Sequence, residues 1–187
     1  EASIHPRTHC IGILSRLAKH RARKPEQSWR KVGMVSGVEP HRKLMEQALR
    51  AWMQEETEPC LIVAGQPGGG VRTDGHITTW CDPTDSELAS ALQGAGTVVC
   101  RSGYSSQLDL AALGVNAILI PTPGQPEQAF LAQLWADRFG FTIRTQQQLE
   151  AGDLPERATG TLPKGTANEH AFRHLSRWLQ AAQSHPA

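Results

Sequence analysis

The stretch that decides the fold is residues 97–133, TVVCRSGYSSQLDLAALGVNAILIPTPGQPEQAFLAQ. An apolar run at 97–100 ends in the Arg-Ser-Gly turn of residues 101–103, and a helical pattern follows until Gly114. A second apolar run at 117–120 leads through a Pro- and Gly-containing loop into another helical pattern. The order strand, turn, helix, strand, loop, helix predicts a parallel sheet. A helix that starts directly after such a turn has unpartnered backbone N–H groups, which favour an anion such as phosphate.

The same alternation of strands and helices extends over most of the chain. Apolar runs predict strands at 31–36, 60–64, 76–80, 97–100, 117–120 and 141–144. Periodic segments predict helices from Pro40 onward and at 86–92, 104–113, 127–139, 146–151 and 168–182, and the first of them should bury Leu44, Ala48, Leu49 and Trp52. Residues 65–70 and 152–167 predict loops, the first of them flexible because of its glycines. Short strands between helices predict the α/β class, a Rossmann-like parallel sheet with helices on both faces.

The ligand-binding edge of such a sheet can be located from the sequence, because ligands lie outside the carboxyl ends of parallel strands. Small or polar residues follow the predicted strands in loops at 36–39, 101–106 and 121–128. We expect these loops to meet and to line one cleft. The glycine run 68–70 lacks the Lys-Ser/Thr pair of a P-loop, so we interpret it as a loop without a ligand.

The composition agrees with one folded domain over residues 1–187, a length that can bury a core. The 19 basic and 18 acidic side chains leave a formal charge of +1, which gives no strong field for nucleic acid or a membrane. The basic run at 20–24 is interpreted as a solvated segment, with contact to anionic lipid as the weaker alternative. No stretch approaches the roughly 20 apolar residues of a membrane-spanning helix. The chain begins without Met, which suggests that it was cut from a longer protein.

Neither the cysteines nor the histidines indicate a metal site. Cys10, Cys60, Cys81 and Cys100 are widely spaced and form no C-x-x-C pair, which favours reduced thiols in a cytoplasmic protein. The histidines at 170 and 174 have helical spacing but lack the flanking Glu of a zinc protease. We therefore expect no metal and no cofactor.

The turn and the loop after it resemble the donor-binding half of GT-B glycosyltransferases, in particular the C-terminal domain of glycosyltransferase family 28. The family's turn is matched by residues 100–103, and its acidic residue six positions after the Gly is matched by Asp109. Pro121 and Gln128 match the Pro and the Gln of the next loop. More loosely, the resemblance runs from about residue 32 to residue 149.

The resemblance implies a role for each matched residue. Ser102, Gly103 and the helix start at Ser105 and Ser106 would hold a diphosphate. Asp109 would accept hydrogen bonds from ribose hydroxyls, as a Glu does in the family. Tyr104 would pack against either the ligand or the turn, and both alternatives stay open.

Further residues complete the site that the resemblance implies. Gln128 would contact the donor sugar with help from Gln125, since Ala129 stands where the family often has a second Gln. Ser36 and Gly37 would face the phosphates from the first loop, with Glu39 at the helix start and turned away. Trp80 and Cys81 fall where the family reads the base through main-chain groups, although a core position for Trp80 is an equal alternative. The candidate donor-binding residues are Ser36, Gly37, Cys81, Ser102, Gly103, Tyr104, Ser105, Ser106, Asp109, Gln125 and Gln128.

The function implied by the resemblance is transfer of a sugar from a nucleoside diphosphate, with UDP expected, to an acceptor hydroxyl. The general base would belong to an N-terminal acceptor domain, for which 187 residues leave no room, so this chain alone should bind donor but turn over poorly. The expected partners are the nucleotide sugar, the missing acceptor domain and a lipid-linked acceptor, without nucleic acid. The expected location is the cytoplasm, with peripheral attachment to the inner face of the membrane as an alternative.

Three other functions stay open at this point. The chain could be a natural donor-binding subunit that works with a separate membrane-anchored acceptor subunit, although the missing Met favours a truncated chain. The same fold also serves nucleotide-sugar hydrolases and epimerases. A non-catalytic sensor of nucleotide sugars is the third alternative.

Overall fold

The computed structural model describes residues 12–21, 25–163, 172, 173, 175–177 and 180. The predicted helix at 168–182 lies mostly outside these residues, and its described members are helical. Cys10 and both histidines of the pair at 170 and 174 also lie outside them. Within the described ranges, no helix is long and apolar enough to cross a lipid bilayer.

Six strands form one sheet in the described part of the chain. They are β1 (Trp29–Met34), β2 (Cys60–Val63), β3 (Val71–Asp74), β4 (Ile77–Trp80), β5 (Ala95–Cys100) and β6 (Ile118–Leu119). The strand order is β3-β4-β2-β1-β5-β6, and only the β3–β4 pair is antiparallel. Met34 lies opposite Cys100, and Cys100 lies opposite Leu119. The carboxyl ends of β1, β5 and β6 are therefore neighbours, which brings the loops that follow them together.

Five named helices cover the two faces of this sheet. They are α1 (His41–Met53), α2 (Asp85–Gln93), α3 (Tyr104–Leu113), α4 (Pro126–Phe139) and α5 (Gln146–Glu150). One core cluster joins apolar residues of α2, α3 and α4, including Leu88, Leu110 and Trp135. The other joins α1 and α5 through residues such as Leu49 and Leu149. The predicted α/β class with helices on both faces is confirmed.

Three local predictions were wrong in detail. The hairpin strand β3 follows the glycine loop directly, and all its residues are exposed, so no hydrophobic pattern marks it in the sequence. The predicted strand at 141–144 contributes only a bridge between Ile143 and Leu119. On α1 the buried face is centred on Met45, Leu49 and Met53, and Leu44 is exposed.

Candidate functional site

Arg101 joins the turn at 101–103 to the start of α1 and to the residues that follow β6 at the carboxyl edge of the sheet. Its side chain is buried, and Nη2 donates to the main-chain oxygen of His41 at 3.1 Å. Nη1 donates to the oxygens of Ile120 and Pro121, each at 3.4 Å. Burial lowers the pKa of Arg101 to about 10, against an opposing influence of the Glu150 carboxylate, so the guanidinium stays charged at neutral pH. The predicted loops lie at one edge of the sheet, but the predicted single cleft is wrong, because the loops line separate cavities. The sequence showed Arg101 only as part of a turn.

The amino end of α3 has no side-chain cap. Gly103 is the N-cap residue, and the first helical bond runs from Gln107 N to Gly103 O at 3.1 Å. The N–H groups of residues 104–106 therefore have no protein acceptor among the described residues. By contrast, α2 and α5 are both closed by capping boxes. An open helix start with a partial positive charge is suited to an anion.

A cavity of about 480 Å³ lies beside this helix start and extends to Asp109. It is lined by Gly12, Leu14, Ser15, Arg16, Tyr104, Ser105, Leu108 and Asp109. Tyr104 and Ser105 are exposed, and Ser106 is half-buried. The structure thus brings together Tyr104, Ser105 and Asp109 from the predicted set around one cavity. Ser105 and Asp109 lie on the same side of α3, because they are four positions apart.

The carboxylate of Asp109 is positioned by a residue that is distant in sequence. Ser15 Oγ donates to Asp109 Oδ1 at 2.6 Å and accepts from Leu17 N at 3.0 Å. Oδ2 has no hydrogen-bond partner among the described residues, so it is open to a hydroxyl group. Burial raises the pKa of Asp109, while the Ser15 hydrogen bond and the nearby Arg16 act in the opposite direction.

Ser15 and Arg16 are site residues that the sequence did not reveal. Their segment has weak periodicity and none of the motifs that led to the other residues. Arg16 Nη1 pairs with Asp85 Oδ1 at 2.8 Å, which holds the guanidinium beside the cavity. We see no signal in the sequence that could have placed either side chain beside α3.

The two predicted glutamines form one hydrogen-bonded unit at the start of α4, where Gln125 is the N-cap residue and Gln128 lies in the first turn. Gln128 Oε1 accepts from the N–H and the hydroxyl of Thr122, each at 3.0 Å. Gln128 Nε2 donates to Gln125 Oε1 at 2.6 Å. On the far side of the loop a second cavity, of about 600 Å³, is lined by residues 121–126, Ala129 and residues 143–147. Gln125 lines this second cavity, whereas Gln128 does not.

The expected ligand contact of the Ser102 hydroxyl does not fit the structure. Ser102 is fully buried, and its Oγ donates to the main-chain oxygen of Gln128 at 2.8 Å. The hydroxyl is therefore used to join the turn at 101–103 to α4. Gly103, in contrast, has open space around it, since an added Cβ would have no neighbour within 4 Å.

The expected base reader at Cys81 also does not fit. The N–H of Cys81 donates to Gly70 O at 3.0 Å, and its oxygen accepts from Gln66 N at 2.7 Å. Both main-chain groups of Cys81 are thus bonded to the glycine loop at 65–70, and these bonds order the loop. The Cys81 side chain is buried. Trp80 packs edge-on against Trp29 with ring centroids 5.7 Å apart, which favours the core alternative for this residue.

The first loop lies at the same sheet edge but not in the cavity that contains Asp109. Ser36 and Gly37 are exposed, and Gly37 has a φ of +97°, a conformation that favours glycine. Glu39 stays at the helix start as expected. Its Oε2 accepts from Lys43 N at 3.1 Å, and its other oxygen pairs with Arg42.

These groups suit a ligand with an anionic centre and several hydroxyls. The open start of α3 can hold the anion, the Asp109 carboxylate can accept from hydroxyls, and the glutamine amides can bind a further polyol part. The thiols do not take part, because Cys60, Cys81 and Cys100 are buried and unpaired. Burial raises the pKa of the Cys100 thiol to about 12, which keeps it protonated.

Comparison with known proteins gives several relatives that share one name, UDP-N-acetylglucosamine--N-acetylmuramyl-(pentapeptide) pyrophosphoryl-undecaprenol N-acetylglucosamine transferase. The protein of Pseudomonas fluorescens strain Pf-5 is 28% identical over 137 residues, which cover 70% of this chain and 38% of that protein. The proteins of Azoarcus sp. strain BH72 and of Magnetococcus marinus strain MC-1 are each 34% identical, over 82 and 83 residues, which cover 43% of this chain and 22% of each relative. The chain thus spans well under half the length of these relatives.

A family model gives the broadest match. It is described as the glycosyltransferase family 28 C-terminal domain, and it covers residues 38–177. This range contains every strand of the sheet except β1, the open start of α3, and both Gln125 and Gln128. The resemblance inferred from the turn at 101–103 is therefore confirmed, and the chain belongs to glycosyltransferase family 28 through its C-terminal domain.

Proposed function

We propose that this chain is the donor-binding domain of a glycosyltransferase that uses a UDP-sugar. The observation that carries the proposal is the cavity that joins the uncapped start of α3 to the Asp109 carboxylate. A nucleoside diphosphate has an anion and a ribose diol next to each other, and the cavity offers a partner for each. The choice of UDP and of a sugar donor follows the name that the relatives share.

The chemistry follows from where charge develops during transfer. An acceptor hydroxyl attacks the anomeric carbon of the sugar, the bond from that carbon to the diphosphate breaks, and UDP leaves with added negative charge. Unpartnered N–H groups at the start of α3 would stabilise that charge without reorganising, because they already point out of the helix end. The Gln125–Gln128 pair would hold the sugar on the neighbouring loop.

The rest of the reaction would depend on a second domain. The match covers well under half the length of each relative, so most of each relative lies outside it. The proposal therefore includes an acceptor domain that supplies the general base. The relatives' name describes a pyrophosphoryl-undecaprenol acceptor, and a similar lipid-linked acceptor would place this enzyme peripherally at the cytoplasmic face of a membrane. Transfer by the 187-residue chain alone is expected to be poor.

Nucleotide choice is the first test. Calorimetry on this chain is expected to give UDP at least about tenfold tighter binding than ADP or GDP, because the relatives are named for a UDP-sugar donor. Uridine is the matched control, because it lacks the diphosphate and should bind far more weakly than UDP. Equal affinity for the three diphosphates would contradict the choice of UDP, and no binding of any of them would contradict the donor site.

A further inference from the structure

Thr122 holds the amide group of Gln128 from the loop that precedes α4. Its backbone N–H and its hydroxyl both donate to Gln128 Oε1, each at 3.0 Å. Thr122 is only 5% exposed, and these bonds are partly buried. At the backbone of Gln128, the Ser102 hydroxyl donates to the main-chain oxygen at 2.8 Å. Gln128 is therefore held through both its main chain and its side chain.

These bonds decide which end of the Gln128 amide faces outward. A backbone N–H can only donate, so the amide atom that faces the N–H of Thr122 must be the oxygen. The nitrogen of Gln128 then points toward Gln125 and donates to its Oε1 at 2.6 Å. With both lone pairs of Gln128 Oε1 engaged, the group that Gln128 has left for a ligand is its remaining amide N–H.

We propose that Thr122 is a positioning residue that turns the Gln128 amide N–H outward, as a hydrogen-bond donor surface for an oxygen of the transferred sugar. The inference rests on the proposed function, in which Gln128 contacts that sugar. An amide that is already oriented loses less freedom on binding than one that can rotate, so orientation raises affinity. A hydroxyl or carbonyl oxygen fits this surface, whereas a protonated amine at the same place has no lone pair to offer.

The role of the Thr122 side chain can be separated from that of its backbone. Gln125 N donates to the main-chain oxygen of Thr122 at 3.1 Å, and this turn does not involve the hydroxyl. A Thr122→Val change therefore keeps the turn, the shape and the N–H contact. It removes only one of the two donors that orient Gln128.

The experiment measures the affinities of UDP and of UDP-N-acetylglucosamine for the wild-type chain and its variants by calorimetry. Thr122→Val is expected to weaken UDP-N-acetylglucosamine about 3- to 10-fold, the effect of one buried neutral hydrogen bond, and UDP less than about twofold. Thr122→Ser keeps the hydroxyl and is expected to restore wild-type affinity. Combined with Gln128→Ala, Thr122→Val is expected to have no further effect, because the amide that it orients is gone. Thr122→Ala, which removes the same hydroxyl with less bulk, should repeat the pattern of Thr122→Val.

Each result separates the inference from the proposed function. Binding of UDP-N-acetylglucosamine to the wild-type chain supports the proposed function before any variant is measured, and no binding overturns both. If the wild type binds but Thr122→Val leaves the affinity unchanged, only the role of Thr122 is overturned. The role of Thr122 is also overturned if Thr122→Val weakens the binding of UDP as much as that of the UDP-sugar. It is likewise overturned if Thr122→Val weakens UDP-sugar binding equally in the wild-type and Gln128→Ala backgrounds.

Discussion

Gly103→Val is expected to weaken UDP and UDP-N-acetylglucosamine alike by roughly 100-fold, or about 3 kcal/mol, the loss of one or two hydrogen bonds to a charged group. Gly103 is the N-cap residue of α3, directly before the unpartnered N–H groups of residues 104–106. A branched side chain there would occupy the space through which a phosphate reaches these groups. Both ligands should suffer, because both contain the diphosphate.

The variant should nevertheless fold normally. Gly103 has φ −70° and ψ 147°, which any L-residue adopts. An added Cβ would have no neighbour within 4 Å, so no core contact is disturbed. Gly103→Ala is the matched control, because its single methyl group should cost much less affinity. Wild-type affinity in a folded Gly103→Val protein would remove the start of α3 from the site.

Asp109→Ala is expected to weaken UDP binding by about 1–3 kcal/mol, the range for a hydrogen bond to a charged group. The Oδ2 atom is open to a ribose hydroxyl, while Oδ1 is held by Ser15. The matched control is Asp137→Ala, which removes an exposed carboxylate of α4 that pairs only with Gln133, outside the cavity. An unchanged UDP affinity in folded Asp109→Ala would exclude this carboxylate from ribose binding.

The pH dependence of the Asp109 effect has a defined sign. Burial raises the folded-state pKa of Asp109, because it disfavours the ionised carboxylate. The folding stability that this group contributes is therefore lost as the pH rises through the folded-state pKa. Removing the carboxylate should therefore not unfold the chain at neutral pH. The UDP affinity of the wild type divided by that of Asp109→Ala should decline as the pH falls. This decline should begin at a higher pH than it would for an Asp with an ordinary pKa. Taking the ratio cancels the titration of UDP itself, and a ratio that is constant down to the usual range of Asp would contradict a raised pKa.

Most of the sheet could be predicted because its signals are local. The apolar runs at 60–64 and 97–100 became β2 and β5, and the pattern after the turn at 101–103 became α3. Helical periodicity also puts Asp109 on the same side of α3 as Ser105, because the two are four positions apart. β3 could not be predicted, because its exposed residues form a strand only by pairing with β4.

The sequence by itself determined the fold class, the order of its elements and the edge of the sheet where a ligand would bind. Hydrophobic periodicity and turn residues act over a few positions, and they are legible in one chain. Only the tertiary structure decided the partner of each polar group, such as Ser15 for Asp109, 94 positions away, and Gly70 and Gln66 for the main chain of Cys81. A hydrogen bond depends on which atoms the packed chain brings within about 3 Å, and that distance is set by the whole fold and not by spacing along the sequence.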